Sequence, residues 1–138
     1  MIIQLELLIF IIIINENCAL ADDQLVSKID EYNDFCMKQS HVNPASIEAV
    51  KNHHFDDNDA KLKEHGYCFA KKLDFLDDDG RLQVDVIRAQ LTDKLKSAKI
   101  ADRLVNRCVR TRETGQETAY YLLKCLHINV PRGMDFVN

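Results

Sequence analysis

Five cysteines, at positions 18, 36, 68, 108 and 125, are the side chains here with the clearest capacity for covalent chemistry. From Cys36 onward they are separated by 31, 39 and 16 residues. A thiol can be a nucleophile, a metal ligand or half of a disulfide, and compartment and spacing select among these. Neither a CxxC nor an HExxH pattern is present, so the spacings of common zinc sites are missing. A short helical chain with an even set of cysteines behind a secretory leader is typically stapled by disulfides. Four cysteines allow three pairings.

Other reactive side chains point nowhere specific. Ser27, Ser40, Ser46 and Ser97 fall at helix surfaces or caps, and none lies in a GxSxG elbow. There is no glycine-rich loop to cradle phosphate. His53, His54, Asp56, Asp57 and His65 have the composition of a metal site. However, adjacent histidines on a helix point apart, and no metal or other cofactor is expected. His65 or His127 could instead serve a neutral-to-acid switch, because imidazole titrates near neutral pH. The acidic run Asp77-Asp78-Asp79-Gly80 fails as a calcium loop. With Gly80 in the sixth position, Phe75 and Val86 occupy the terminal ligand positions. It is expected to be a helix-ending turn. These observations argue against an enzyme.

Charge excludes further classes. The chain carries 18 Lys and Arg against 22 Asp and Glu, a net of -4. Its densest basic run, Arg103, Arg107, Arg110 and Arg112, fits a solvated helix face better than a phosphate track. Nucleic acid is not an expected partner.

Residues Met1 to Ala21 are expected to be a signal peptide. Leu7 to Ile14 is an unbroken apolar run, Asn15 to Asn17 is polar, and Ala19-Leu20-Ala21 offers a small-x-small cleavage site. The n-region is atypical, with Glu6 and no Lys or Arg. The apolar run is too short for a membrane span, which takes about 20 residues. Cleavage would start the mature chain, residues 22–138, at Asp22 and discard Cys18, leaving four cysteines for two bridges. Expected localisation is secreted and extracellular, in one domain.

The elements that must position these cysteines are helical. Only 4 Gly and 2 Pro occur in 138 residues, against a sandwich or barrel. Leu25, Ile29, Tyr32 and Cys36 recur at helical spacing, predicting a first helix from about Asp23 to Gln39. Asn43-Pro44 opens a second, ending near His53-His54. The acidic stretch 56–59 caps a third, running to about Leu73 with Leu62, His65, Phe69 and Leu73 on one side. Gly66 within it suggests close approach of another helix. A fourth starts near Val84, with Val84, Ile87, Leu91 and Leu95 inward. Ser97 caps a fifth carrying Ile100, Leu104 and Cys108. Thr114 to Glu117 forms a capping box for a sixth, with Ala119, Leu122, Leu123 and Leu126 as its apolar stripe. The tail, Ile128 to Asn138, is expected to be non-helical and could fold back through Val130, Phe136 and Val137.

With those residues in place, the sequence resembles the insect odorant-binding protein family over about Asp22 to Val137. That family carries six cysteines, the second and third separated by three residues and the fifth and sixth by eight. Cys36 resembles the first, Cys68 the third, Cys108 the fourth and Cys125 the sixth. The second would fall at Glu64 and the fifth at Gln116. These two missing positions are partners in the family, so both are lost together, which is the four-cysteine, C-minus pattern. Residues 61–63 and 66–73 resemble the family's third helix, 76–82 its following turn, and 117–126 its sixth helix.

The resemblance implies the pairs Cys36–Cys68 and Cys108–Cys125. It also implies an all-α fold of six disulfide-stapled helices around an internal apolar cavity. The expected function is a secreted carrier of small hydrophobic molecules, odorants or pheromones, through extracellular fluid, with an odorant receptor as a possible partner. The carrier would be a monomer or weak homodimer. Expected ligand-binding residues are Ile29, Tyr32, Phe69, Leu73, Leu82, Ile87, Leu91, Leu104, Tyr120, Leu123 and Phe136, about half touching ligand and the rest plain core. Two alternatives stand beside it: a secreted interaction or defence protein with a solid core, and a non-olfactory carrier of lipids or hormones.

Overall fold

The computed structural model describes residues 27–131. Residues 27–40 are helical, as α1. The chain separates into two units, one ending at Asn33 and one running from Asp34. In the first, Ile29, Tyr32 and Asn33 are half-buried. The second holds the remaining helices: α2 (Pro44–Lys51), α3 (Ala60–Lys72), α4 (Val84–Leu95), α5 (Ala98–Cys108) and α6 (Gly115–Asn129). Strands are absent among the described residues, apart from one isolated bridge between Leu76 and Leu82.

Helices α2, α3, α5 and α6 start where a side chain takes up an orphan backbone N–H, whereas α4 follows Gln83 without a side-chain cap. Asn43 accepts from Ala45 N at 2.9 Å, with Pro44 as first helical residue of α2. Asp59 accepts from Leu62 N at 3.0 Å for α3, and Ser97 from Ile100 N at 3.3 Å for α5. Thr114 accepts from Glu117 N at 3.1 Å for α6. The expected box there is only half of the arrangement, because the Glu117 carboxylate lies 3.7 Å from Lys63 on α3.

Helix ends differ from expectation in two places. α2 stops at Lys51, and His53 follows in the left-handed region at φ 60° rather than on the helix. α6 runs through Ile128 to Asn129, residues expected in a non-helical tail. Pro131 disfavours helical backbone only at the residue before it, so Val130 turns extended, at φ −69° and ψ 138°. Phe136, Val137 and the leader lie outside the described residues.

Most core residues of α3 to α6 and the intervening loop form one cluster. It includes Phe75, Leu76, Ile87, Leu91, Ala101, Leu104, Ala119, Leu122 and Leu126, none more than 4% exposed. The tightest helix pairs among the described residues are α3 with α6, α4 with α5, and α5 with α6. At Gly66 a Cβ would stand 3.6 Å from the Tyr120 Cα, ordinary contact distance, so α6 passes close there without requiring the glycine. Val84, expected inward, is 37% exposed: as the first residue of α4 it precedes the turn that begins to pack. Two disulfides complete the frame, Cys36–Cys68 from α1 to α3 and Cys108–Cys125 from α5 to α6.

Candidate functional site

The apolar interior is built mainly from helical stripes, and the expected ligand-binding residues distribute over it unevenly. Ile87, Leu91 and Leu104 are buried members of the large cluster, and Leu73, Leu82 and Leu123 pack against it half-buried. Phe69 is buried and stacks on His65, with ring centroids 6.0 Å apart. Tyr120 belongs to a second, smaller cluster with Val42, Ile47 and Leu62, flanked by Met37, Val50, Phe55 and Tyr121. Ile29 and Tyr32 are in the unit ending at Asn33. Phe136 lies outside the described residues. The fold therefore gathers six of the eleven into one cluster and sets Tyr120 in another.

The second cluster was not assembled by sequence reasoning. Val42 lies between helices and carries no periodicity. Ile47 sits on a helix of only 8 residues, too short for a clear stripe. Leu62 was recognised as apolar, but nothing local announced its meeting with Ile47.

Polar groups at this second cluster are closely arranged. The Tyr120 hydroxyl donates to Asp57 Oδ1 at 2.8 Å, and Lys124 Nζ donates to the same oxygen at 2.6 Å. Hydrogen bonding from Lys124, then from Tyr120, holds the Asp57 carboxyl below its usual range. Burial, reinforced by the Asp57 bond, pushes the Tyr120 phenol above its ordinary value. The Lys124 ammonium also lies 5.6 Å from the Phe55 ring and within 5.9 Å of the Tyr120 and Tyr121 ring centroids. Elsewhere on α6 the Thr118 side chain is buried, its oxygen accepting from Arg112 N at 2.9 Å.

Residues considered for metal chemistry are scattered or otherwise engaged. The His53 ring lies 4.5 Å from His127, which Phe55 meets edge-on at 5.6 Å. His65 stacks on Phe69. Among the described residues no group of three or more His, Cys, Asp or Glu is placed to hold an ion. The acidic run is a turn closed on itself. Asp77 Oδ1 accepts from Asp79 N and Arg81 N, its Oδ2 accepts from Arg81 Nε, and Gly80 takes φ 79°. No helix among the described residues is long and apolar enough to cross a membrane.

The two clusters gather apolar side chains, with polar groups at the edge of the smaller one. Known proteins carry the same architecture. The chain is similar to the B2 and B1 proteins of Tenebrio molitor, each 26% identical over 91 residues. The aligned part is 66% of this chain, 70% of B2 and 69% of B1. It is also similar in structure to the THP12 carrier protein from yellow meal worm, with a TM-score of 0.59 and 31% identity. That likeness spans 72% of this chain and 92% of the meal worm protein. The PBP/GOBP family model matches residues 18–129, including all four bridged cysteines, and the chain therefore belongs to this family, the insect odorant-binding proteins.

Proposed function

We propose that this protein is a secreted carrier that encloses small hydrophobic molecules, odorants, pheromones or similar semiochemicals, and moves them through extracellular fluid to receptors. The observation that carries the reading is its likeness to a meal worm protein named as a carrier, over 92% of that protein's length. Family membership over residues 18–129 supports a binder rather than an enzyme. Residues 1–21 would be the leader, removed with Cys18, and the mature carrier would be one domain acting as a monomer or weak homodimer.

Affinity would come from apolar burial. A ligand giving up about 250 Å² of apolar surface gains roughly 6 kcal/mol. With the cost of association offset by a few hydrogen bonds, dissociation constants fall in the micromolar range. Phe69, Leu73, Leu82, Ile87, Leu91, Leu104, Tyr120 and Leu123 are the proposed wall, about half of them touching ligand.

The test is a titration of the oxidised protein with the fluorescent probe N-phenyl-1-naphthylamine, followed by displacement with aliphatic alcohols, aldehydes and esters. Saturable uptake reversed by competitors is the expected result. A protein that takes up no probe at any concentration is not a carrier, and its function would then lie on its surface.

A further inference from the structure

The disulfides join α1 to α3 and α5 to α6 and reach neither α2 nor α4, but α4 packs closely on α5 whereas α2 is in none of the closest helix pairs among the described residues. Helix α2 is flanked by two histidines in left-handed backbone, His41 at φ 54° and His53 at φ 60°. Such positions are uncommon for non-glycine residues and mark sharp changes of chain direction. Residues 52–59, linking α2 to α3, bond through their backbone to α2 and to each other: His53 N to Val50 O, His54 N to Ala49 O, Asp59 N to Asp56 O.

The contacts of this strap with α6 run through side chains. The His53 ring meets His127, and Phe55 meets His127 and Tyr120 edge-on. Asp57 takes the Tyr120 hydroxyl and the Lys124 ammonium. The ion pair is open to water, with Lys124 24% and Asp57 46% exposed as side chains. Pairs of that exposure are weak and screened by salt. Beneath α2 and the strap lies the smaller apolar cluster of Val42, Ile47, Leu62 and Tyr120.

We propose that α2 and residues 52–59 form a hinged flap over this smaller cluster, and that ligand enters and leaves there when Asp57 releases Tyr120 and Lys124. The flap turns about His41 at one end and about the Asp59 cap of α3 at the other. Its latch is the shared Asp57 oxygen, which draws the strap onto α6. Opening exposes Ile47, Val50 and Phe55 on the moving side and Leu62 and Tyr120 on the fixed side. That is a continuous apolar entrance of the kind a hydrophobic guest requires. The proposal rests on the carrier reading and adds its route of access.

Stopped-flow mixing with N-phenyl-1-naphthylamine tests it, using the wild type, Asp57→Asn and Lys124→Met. Both latch variants should bind and release probe about fivefold faster, with the dissociation constant within about twofold of wild type, because a latch bars both directions equally. Salt at about 1 M should speed exchange in the wild type and have no such effect in Asp57→Asn. Asp77→Asn, whose carboxylate pairs with Arg81 in the 76–82 turn, should behave as wild type. Without ligand, amide hydrogens of residues 44–51 should exchange faster in Asp57→Asn, while those of residues 98–108 stay unchanged. Unaltered rates in both variants, with normal probe uptake, overturn the flap and leave the carrier intact. Faster release with unchanged entry overturns it too, since Asp57 and Lys124 would then hold ligand rather than the door. Absence of probe uptake by the wild type overturns the carrier reading and the access route with it.

Discussion

Gly115, the first residue of α6, gives the sharpest test of how closely α6 sits on α3. A Cβ at Gly115 would lie 2.7 Å from Tyr67 Cε2, 3.0 Å from Cζ and 3.2 Å from the phenol oxygen. Nothing in ordinary packing approaches that closely, so Gly115→Ala must displace the ring. The ring is half-buried beside a surface pocket, so it can shift only by giving up packing, including the Lys71 Nζ that lies 4.0 Å from its centroid. Two effects oppose each other. Alanine is a better helix former than glycine by up to about 1 kcal/mol, less at a first helical residue. Overpacking costs about 1–3 kcal/mol. The packing effect wins, for a net loss of about 1–2 kcal/mol and a fall in Tm of about 4–8 °C. Urea unfolding of Gly115→Ala, Tyr67→Ala and the double variant separates the two effects through a thermodynamic cycle. With Tyr67 truncated, Gly115→Ala should be neutral or stabilising. If Gly115→Ala raises the Tm in the wild-type background, the close Tyr67–Gly115 contact is wrong.

Three further outcomes follow from other parts of the fold. The raised Tyr120 phenol contributes stability that is complete below the unfolded tyrosine pKa of about 10 and is lost as pH rises above it. The urea midpoint should therefore fall more steeply between about pH 9 and pH 11 in the wild type than in Tyr120→Phe. Replacing Cys108 and Cys125, 17 residues apart, by serine should cost about 3 kcal/mol, and Cys36 and Cys68, 32 apart, about 4 kcal/mol, measured as shifts in thermal unfolding. Ile87→Ala, at a fully buried position, should cost about 2–5 kcal/mol in the same assay while leaving the secondary structure intact by circular dichroism.

Local chemistry in the sequence placed most helix starts, because caps act over two or three residues. Asn43-Pro44, Asp59, Ser97 and Thr114 each mark a start with their own side chain. The cysteine pattern, through the family it resembles, carried the pairing found in the fold. What escaped sequence reading was non-local. Asp57 and Lys124 are 67 residues apart, and neither residue's surroundings announce the other. The sequence pattern extends α2 to about His53, yet the chain leaves the helix before it and brings its ring to His127. Glu117 was assigned to its own cap, but Lys63 on α3 claims the carboxylate. That ion pair and the Tyr67–Gly115 contact tie α3 to α6 close to Glu64 and Gln116, where the resemblance places two missing cysteines. The smaller apolar cluster joins residues from three elements and the loop before α2, so no single periodicity displays it.

Calorimetry of ligand binding reaches the central claim most directly. A hydrophobic guest such as a medium-chain alcohol or ester, titrated into the oxidised protein at several temperatures, should bind one to one with a negative heat-capacity change, the mark of apolar surface leaving water. Heats indistinguishable from dilution at every temperature, with the disulfides intact and the helices folded, would contradict the account.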